Sequence, residues 1–273
     1  MAIRNGNDND TNIRQTEEAQ ILLKTMADTL HSMRRIKQFP SHQQIRIATA
    51  AKHIYAPIAH RLGLGVLKAE LEDLYLQFYA SPIYHAIDRL LGNTQEERQQ
   101  FIKCFQAPLE ADLRQGGLEY ITKARVKSIT SIIDKMSRLH TNLEEIYDIF
   151  AVRIILNAPL AQEQTVCWQA YDILTKRYQH LPKKFRDWLT EPRPNGYQAL
   201  HVTLMDQEEQ WVEVQIRTRS MDEIAEKGSA AHWKYKGDYQ SKQLATIDPW
   251  LAQLRDVIEQ KPQMVKDILA AEN

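Results

Sequence analysis

Apolar residues in the first third of the chain recur every three to four positions. Ile21, Leu22, Leu23, Met26, Leu30 and Met33 form one stripe, and Ile54, Ile58 and Leu62 continue it. That spacing predicts amphipathic helices from about Ile21 to Gly92. Ser41 is placed to cap one of them, Gly63 and Gly65 interrupt the pattern before Val66 to Tyr79, and Ser81-Pro82 opens another helix. Residues 1–20, polar and rich in Asn and Asp, are expected to be a flexible leader.

The period then changes. Glu96 to Gln115 reads as a helix closed by Gly116-Gly117, Leu118 to Ala124 as a strand, and Arg125 to Leu139 as a helix. Asn142 caps a short turn, Tyr147 to Leu156 is an apolar, β-branched run that suits a strand buried on both faces, and Gln162 to Tyr178 is helical. A long charged loop, Gln179 to Asn195, is too long for a plain connector. Ala199 to Met205 and Trp211 to Ile216 alternate as an antiparallel hairpin, followed by a helix from Met221 to Tyr235. Leu251, Leu254 and Ile258, then Val265, Ile268 and Leu269, predict a helical tail without a clear heptad. The fold class is therefore α/β (α+β), preceded by an all-helical lobe.

Charge narrows the partners. The 35 Lys and Arg balance the 35 Asp and Glu, so no global positive field exists and any phosphate site must be a local cluster. This speaks against tRNA as a partner. Two distant cysteines, Cys104 and Cys167, argue against a disulfide or a structural zinc and fit a reducing, cytoplasmic setting. No signal-peptide core and no apolar run of membrane-spanning length is present.

Four clusters could carry chemistry. Lys123, Arg125 and Lys127 stand at a strand-to-helix junction, with Lys127, Ser131 and Lys135 at four-residue steps, which suits a polyphosphate as well as a plain solvated basic face. Lys183-Lys184-Phe185-Arg186-Asp187 and Arg193-Pro194-Asn195-Gly196-Tyr197 put charge and a ring in the long loop, though Asn-Gly alone is merely a turn. Alternation in Trp211 to Arg217 sets Glu213, Gln215 and Arg217 on one face. Glu213 could then lie beside Asp148, at the mouth of the buried strand, and two such carboxylates hold Mg2+ against phosphates; taken alone, Asp148 is as well explained as a cap. His201 and the pair His232-Trp233 read as packing or hydrogen-bonded groups.

The motifs Arg125-Val126-Lys127-Ser128-Ile129, Tyr147-Asp148-Ile149-Phe150-Ala151-Val152-Arg153, Asn195-Gly196-Tyr197-Gln198-Ala199-Leu200-His201, Glu213-Val214-Gln215-Ile216-Arg217-Thr218 and Ala230-Ala231-His232-Trp233 come in an order that resembles the RelA/SpoT alarmone synthetase domain. The resemblance implies a nucleotidyltransferase-like mixed β-sheet flanked by helices. It also implies transfer of the β,γ-diphosphate of ATP to the 3′-hydroxyl of GDP or GTP, with AMP released. On this chain Asp148 matches the Mg2+-binding aspartate, and Glu213 a glutamate that binds metal or accepts the hydroxyl proton. Arg125, Lys127, Ser131, Lys135 and Arg153 match the ATP site. Lys184, Arg186, Arg193, Asn195, Tyr197, His201 and Gln215 match the GDP/GTP site, with Tyr197 stacking on guanine. Lys184-Phe185-Arg186-Asp187 resembles the basic form of the loop motif with its two bases exchanged, which implies the metal behaviour of bifunctional members. Glu191, Arg193 and Pro194 depart from the usual pattern.

Met26 to Arg34 and Tyr55 to Gly63 are similar to parts of the family's HD hydrolase domain, with Ser32 where asparagine is usual. None of the nine histidines is followed by aspartate, so the hydrolase metal site is expected to be missing. The expected organisation is a leader at 1–20, an inactive hydrolase remnant at 21–84, the synthetase domain at 85–240 and a helical tail at 241–273, without the regulatory domains of long members. Small members often form homo-oligomers. Two rivals stand beside this reading: a toxic relative that pyrophosphorylates adenine nucleotides or the tRNA 3′ end, and a catalytically dead nucleotide-sensing module.

Overall fold

The structure is a computed structural model that describes residues 5–231 and 248–270, with side chains described over 13–225 and 250–270. It divides into two compact units: Met1–His85 with Lys234–Asn273, and Ala86–Trp233.

The first unit is helical. Its elements are α1 (Asn5–Arg34), α2 (Ser41–Ala50), α3 (Ala56–Arg61), α4 (Gly65–Tyr79), α10 (Asp248–Gln260) and α11 (Pro262–Ala270). From Asn5 onward the expected leader is part of a 30-residue helix. Ala19 of that stretch is fully buried, and Glu18 is tied to Arg14 one turn back and to the Trp250 indole of α10, so packing supplies what propensity does not. Ser41 is the first helical residue rather than a side-chain cap. It follows Pro40, whose carbonyl accepts from the amides of Gln43 and Gln44. The helix runs from α2 into α3 through a π turn at Ala51–Tyr55, just ahead of Pro57, which has no amide to close a regular turn. Ile54 of the expected stripe faces out, 51% exposed, whereas Leu62 is buried.

The C-terminal segment is more than a tail. Leu251, Leu254, Val257 and Ile258 are buried in one core with Leu23, Met26, Leu30, Met33 and Leu71. Chain ends far apart in sequence thus complete one lobe.

The second unit is built on a five-stranded mixed sheet, ordered β1 (Tyr120–Val126), β2 (Phe150–Leu156), β5 (Trp211–Thr218), β4 (Leu200–Met205), β3 (Arg186–Asp187). Only the central pair, β2 and β5, is parallel; the other neighbours are antiparallel. The expected hairpin is present as β4 and β5. The long loop is less irregular than expected, because Arg186 and Asp187 pair with β4 as the edge strand. Helices α6 (Gln95–Gln115), α7 (Ile129–Leu139), α8 (Glu163–Arg177) and α9 (Arg219–Ala231) flank the sheet, while α5 (Ser81–Leu90) spans the division between the units. A reciprocal capping box of Thr94 and Glu97 starts α6.

One face of the sheet is the core. Val152, Ile154, Val212, Val214, Ile216, Val202 and Leu204 point into it and pack with Ile102, Leu109 and Leu113 of α6 and Cys167, Ala170 and Leu174 of α8. Strand register then forces the alternate residues onto the opposite face. Arg125 lies across from Ala151 and Ala151 across from Glu213; Lys123, Arg153, Gln215, His201 and Arg186 form the adjacent cross-strand row. Among the described residues no helix is long and apolar enough to cross a membrane. Both cysteines are free, Cys104 exposed and Cys167 buried.

Candidate active site

The site is assembled on that polar face. Asp148 sits in the turn just before β2, because the strand begins at Phe150 rather than Tyr147. Arg125 belongs to β1, which extends to Val126; the expected helix at Arg125 begins only at Ile129, where the Ser128 hydroxyl accepts the amide of Ser131. Arg125 is therefore a strand residue and not the first of the helix. The ladder continues one step further, with the Lys127 amide donating to the Ile149 carbonyl, which brings the Lys127 side chain opposite Asp148. Lys127 Nζ and Lys135 Nζ, the latter from α7, lie 2.9 and 2.7 Å from the same oxygen, Asp148 Oδ2. Ser131, between them, is engaged with Ser128 in the helix cap.

Asp148 Oδ1 is buried and has no hydrogen-bond partner. Burial works to raise this carboxyl, but the charges and hydrogen bonds of Lys127 and Lys135 outweigh it and hold the pKa below the ordinary range. An ionised carboxylate with one oxygen neutralised and the other left open suits a hard cation. Glu213 is the second anion. Burial again opposes its charge, yet His201, Gln215 and the nearby Lys135 bring its pKa down to about 2. Gln215 Nε2 donates to Glu213 Oε1 at 2.6 Å, and His201 Nδ1 lies 3.4 Å from that oxygen. Among the described residues no group of three or more His, Cys, Asp or Glu gathers as a metal cluster. Two carboxylates alone fit Mg2+, which keeps most of its shell for water and substrate phosphates.

An aromatic box stands over β3 and β4. The Tyr197 hydroxyl is 2.7 Å from His201 Nε2. Trp188 meets the His201 ring edge-on at 4.5 Å between centroids, and the Arg193 guanidinium lies 3.7 Å from the Trp188 ring centroid. The turn below it needs Gly196 at φ +76, and the Asn195 side chain accepts the Tyr197 amide, so Asn195 is spent on the loop. Lys184 reaches over the Tyr147 ring at 4.7 Å, while the Arg186 side chain donates to loop carbonyls.

Sequence reading missed two residues. Trp188 was not singled out, although its place directly after the basic motif Lys183 to Asp187 was a signal. Asp222, in the first turn of α9, meets Arg153 at 3.2 Å, Lys123 at 3.7 Å, and Arg217. Nothing local in the sequence marks an acid there as more than a helix-start residue. Arg217, expected on a half-exposed face, is 1% exposed and paired inward. His232, Trp233 and Tyr235 lie outside the described residues.

The fold and site together define an α/β domain with two ionised carboxylates, one in the turn before β2 and one on β5, set among lysines and arginines on a chain of zero net charge, a constellation that suits phosphates. Residues 124–240 match the family described as the region found in RelA / SpoT proteins, and residues 12–65 match an HD domain. Over residues 124–240 the chain thus carries the region found in RelA / SpoT proteins. It is 35% identical to the GTP pyrophosphokinase of Escherichia coli over 82% of this chain and 29% of that protein. It is 34% identical to a probable guanosine-3′,5′-bis(diphosphate) 3′-pyrophosphohydrolase of Synechocystis over 89% of this chain and 32% of that protein. The chain therefore spans about a third of the length of these relatives. The small alarmone synthetase 1 of Bacillus subtilis, solved with its product pppGpp, superimposes with a TM-score of 0.43 at 20% identity over 62% of this chain and 93% of that one.

Proposed function

We propose that the unit at Ala86–Trp233 is a (p)ppGpp synthetase, moving the β,γ-diphosphate of ATP to the 3′-hydroxyl of GDP or GTP and releasing AMP. The observation that carries this reading is the open Oδ1 of Asp148, in the turn before β2, with Lys127 and Lys135 on the other oxygen and Glu213 on the neighbouring strand β5. Attack at the β-phosphorus needs charge neutralised on both sides of the transferred group. Lys127, Lys135, Arg125 and Arg153 supply cations to the ATP phosphates on the β1–β2 side. Ser131 stands between the two lysines.

Asp148 and Glu213 would hold Mg2+, which, when bound, supplies charge neutralisation at the phosphates and acidifies an alcohol. A carboxylate with a pKa of about 2 is a poor proton acceptor and a persistent anion. Of the two roles open to Glu213, metal ligand is therefore the better supported. The acceptor lies against Tyr197, with His201, Gln215 and Arg193 at its edges and Lys184, Arg186 and Asn195 along the loop. Hydrolysis of the product is not expected, because no histidine in the chain precedes an aspartate. The test is transfer from β-labelled ATP with GDP, GTP, ADP, ATP and deacylated tRNA as separate acceptors. Label on GDP or GTP supports the proposal; label only on adenine nucleotides or tRNA, or on none, defeats it.

A further inference from the structure

Strand β2 carries a single polar residue. All of its seven residues except Arg153 are buried, and Arg153 points to the polar face between the core residues Val152 and Ile154. Directly opposite it on β1 stands Lys123. Like charges facing each other across neighbouring strands repel, so this pair needs an anion between them. Asp222, in the first turn of α9, supplies it: Arg153 Nη1 donates to Oδ1 at 3.2 Å, and Lys123 Nζ lies 3.7 Å from Oδ2. Arg217 of β5, 1% exposed, pairs with Oδ1 as well.

Both oxygens of Asp222 thus face cations, whereas Asp148 keeps one oxygen without a partner. A carboxylate here would also repel a nucleotide phosphate, so its use lies in the cations it holds. Arg153 is the one of these that the sheet aims at the site. Its row, with Lys123 and Gln215, is next to the row of Arg125, Ala151 and Glu213. Two residues at ~3.3 Å each separate the rows along β2, a span that one arginine side chain can bridge.

We infer that Asp222 is a positioning residue for the ATP side of the site: it stands between Lys123 and Arg153 and fixes the Arg153 guanidinium in the orientation that meets ATP. The inference rests on the synthetase reading for the placement of ATP against Arg153. A guanidinium binds phosphate through a planar fork, so what it gains depends on how it is turned. Without Asp222, repulsion from Lys123 would turn Arg153 away, and ATP would have to reorder it on binding. Charge alone gives the opposite sign. Removing an anion near a polyanionic ligand should tighten its binding, so a loss of ATP affinity reports orientation rather than field.

The test measures equilibrium binding of α,β-methylene ATP, whose α–β link resists cleavage, alongside label transfer from ATP to GDP or GTP. The proteins are the natural chain, Asp222→Asn, Arg153→Met and the double variant Asp222→Asn/Arg153→Met. Arg153→Met leaves Asp222 paired with Lys123 and Arg217, so its charge stays compensated. The expected result is analogue binding weakened about 5- to 20-fold in Asp222→Asn, the loss of one oriented, charge-assisted contact. In the Arg153→Met background the same change should weaken binding by less than about twofold, because the group it acts through is gone. Unchanged or tighter binding in Asp222→Asn would overturn the inference, as would an equal loss in both backgrounds, which is the mark of a merely structural role. Should Asp222→Asn fail to fold with Arg217 left uncompensated, Asp222→Glu, which keeps the charge but shifts the carboxylate by one methylene, enters the same cycle and decides by the same criterion. Analogue binding without label transfer by the natural chain would defeat the synthetase reading alone; no analogue binding at all would defeat both.

Discussion

Lys135 Nζ lies 2.7 Å from Asp148 Oδ2, and the same ammonium lowers the pKa of Glu213. One helix residue therefore serves both carboxylates of the site. Replacing it with methionine should cut kcat/KM for ATP by about 10²- to 10³-fold, the loss of one preorganised cation at a phosphoryl group. It should also lower the Mg2+ concentration needed for half-maximal rate, since two carboxylates lose a competing charge. Steady-state kinetics across a Mg2+ titration would show both changes, and a parallel rise in the Mg2+ requirement would contradict this account.

Glu213 predicts an acid-sensitive fold. Its pKa falls from an ordinary 4.5 to about 2 in the folded chain, so its contribution to stability is complete above pH 4.5 and is lost as pH falls toward 2. At ~1.4 kcal/mol per pH unit this contribution is at most about 3 kcal/mol. Glu213→Gln should be less stable than the natural chain at pH 7 and should flatten the fall in melting temperature between pH 5 and pH 3. Thermal denaturation followed by circular dichroism at several pH values would measure it.

The C-terminal helices should be indispensable to the helical lobe. Leu254 is fully buried in the core that α10 forms with α1 and α3, so Leu254→Ala should cost about 2–5 kcal/mol. Ending the chain at residue 247 would strip the lobe of Leu251, Leu254, Val257 and Ile258 together, and it should unfold at lower denaturant than the sheet domain. Denaturation monitored by helix signal and by proteolysis of each unit would test this.

Trp188 should matter for the acceptor rather than for ATP. Trp188→Leu removes the ring on which Arg193 stacks and the edge against His201. We expect KM for GDP or GTP to rise about tenfold, from lost cation–π and aromatic contacts, with KM for ATP nearly unchanged.

Much of this was legible in the residues themselves. The β-branched run around Ile154 and the alternation from Trp211 to Arg217 are set by burial on one or both sheet faces, which sequence period reports directly. Arg125 was misplaced because the strand and the helix abut: charged residues at 123, 125 and 127 fit either period, and only Ser128 as a cap decides where the helix starts. The fold-back of Leu251 and Leu254 onto Leu23 was illegible, since an apolar helix stripe does not name its partner. Asp222 was missed for a related reason. Its meaning comes from three strands that are neighbours only in the sheet.

The most direct test of the central claim is the product formed from ATP and GDP in the presence of Mg2+ by the natural chain and by Asp148→Asn. The account predicts AMP released in equal amount to a guanosine carrying a new diphosphate on its 3′ oxygen, resolved by mass and by phosphorus NMR. Asp148→Asn, still folded by circular dichroism, should form about 10³-fold less. Formation of ADP in place of AMP, or equal product from the Asp148 variant, would contradict it.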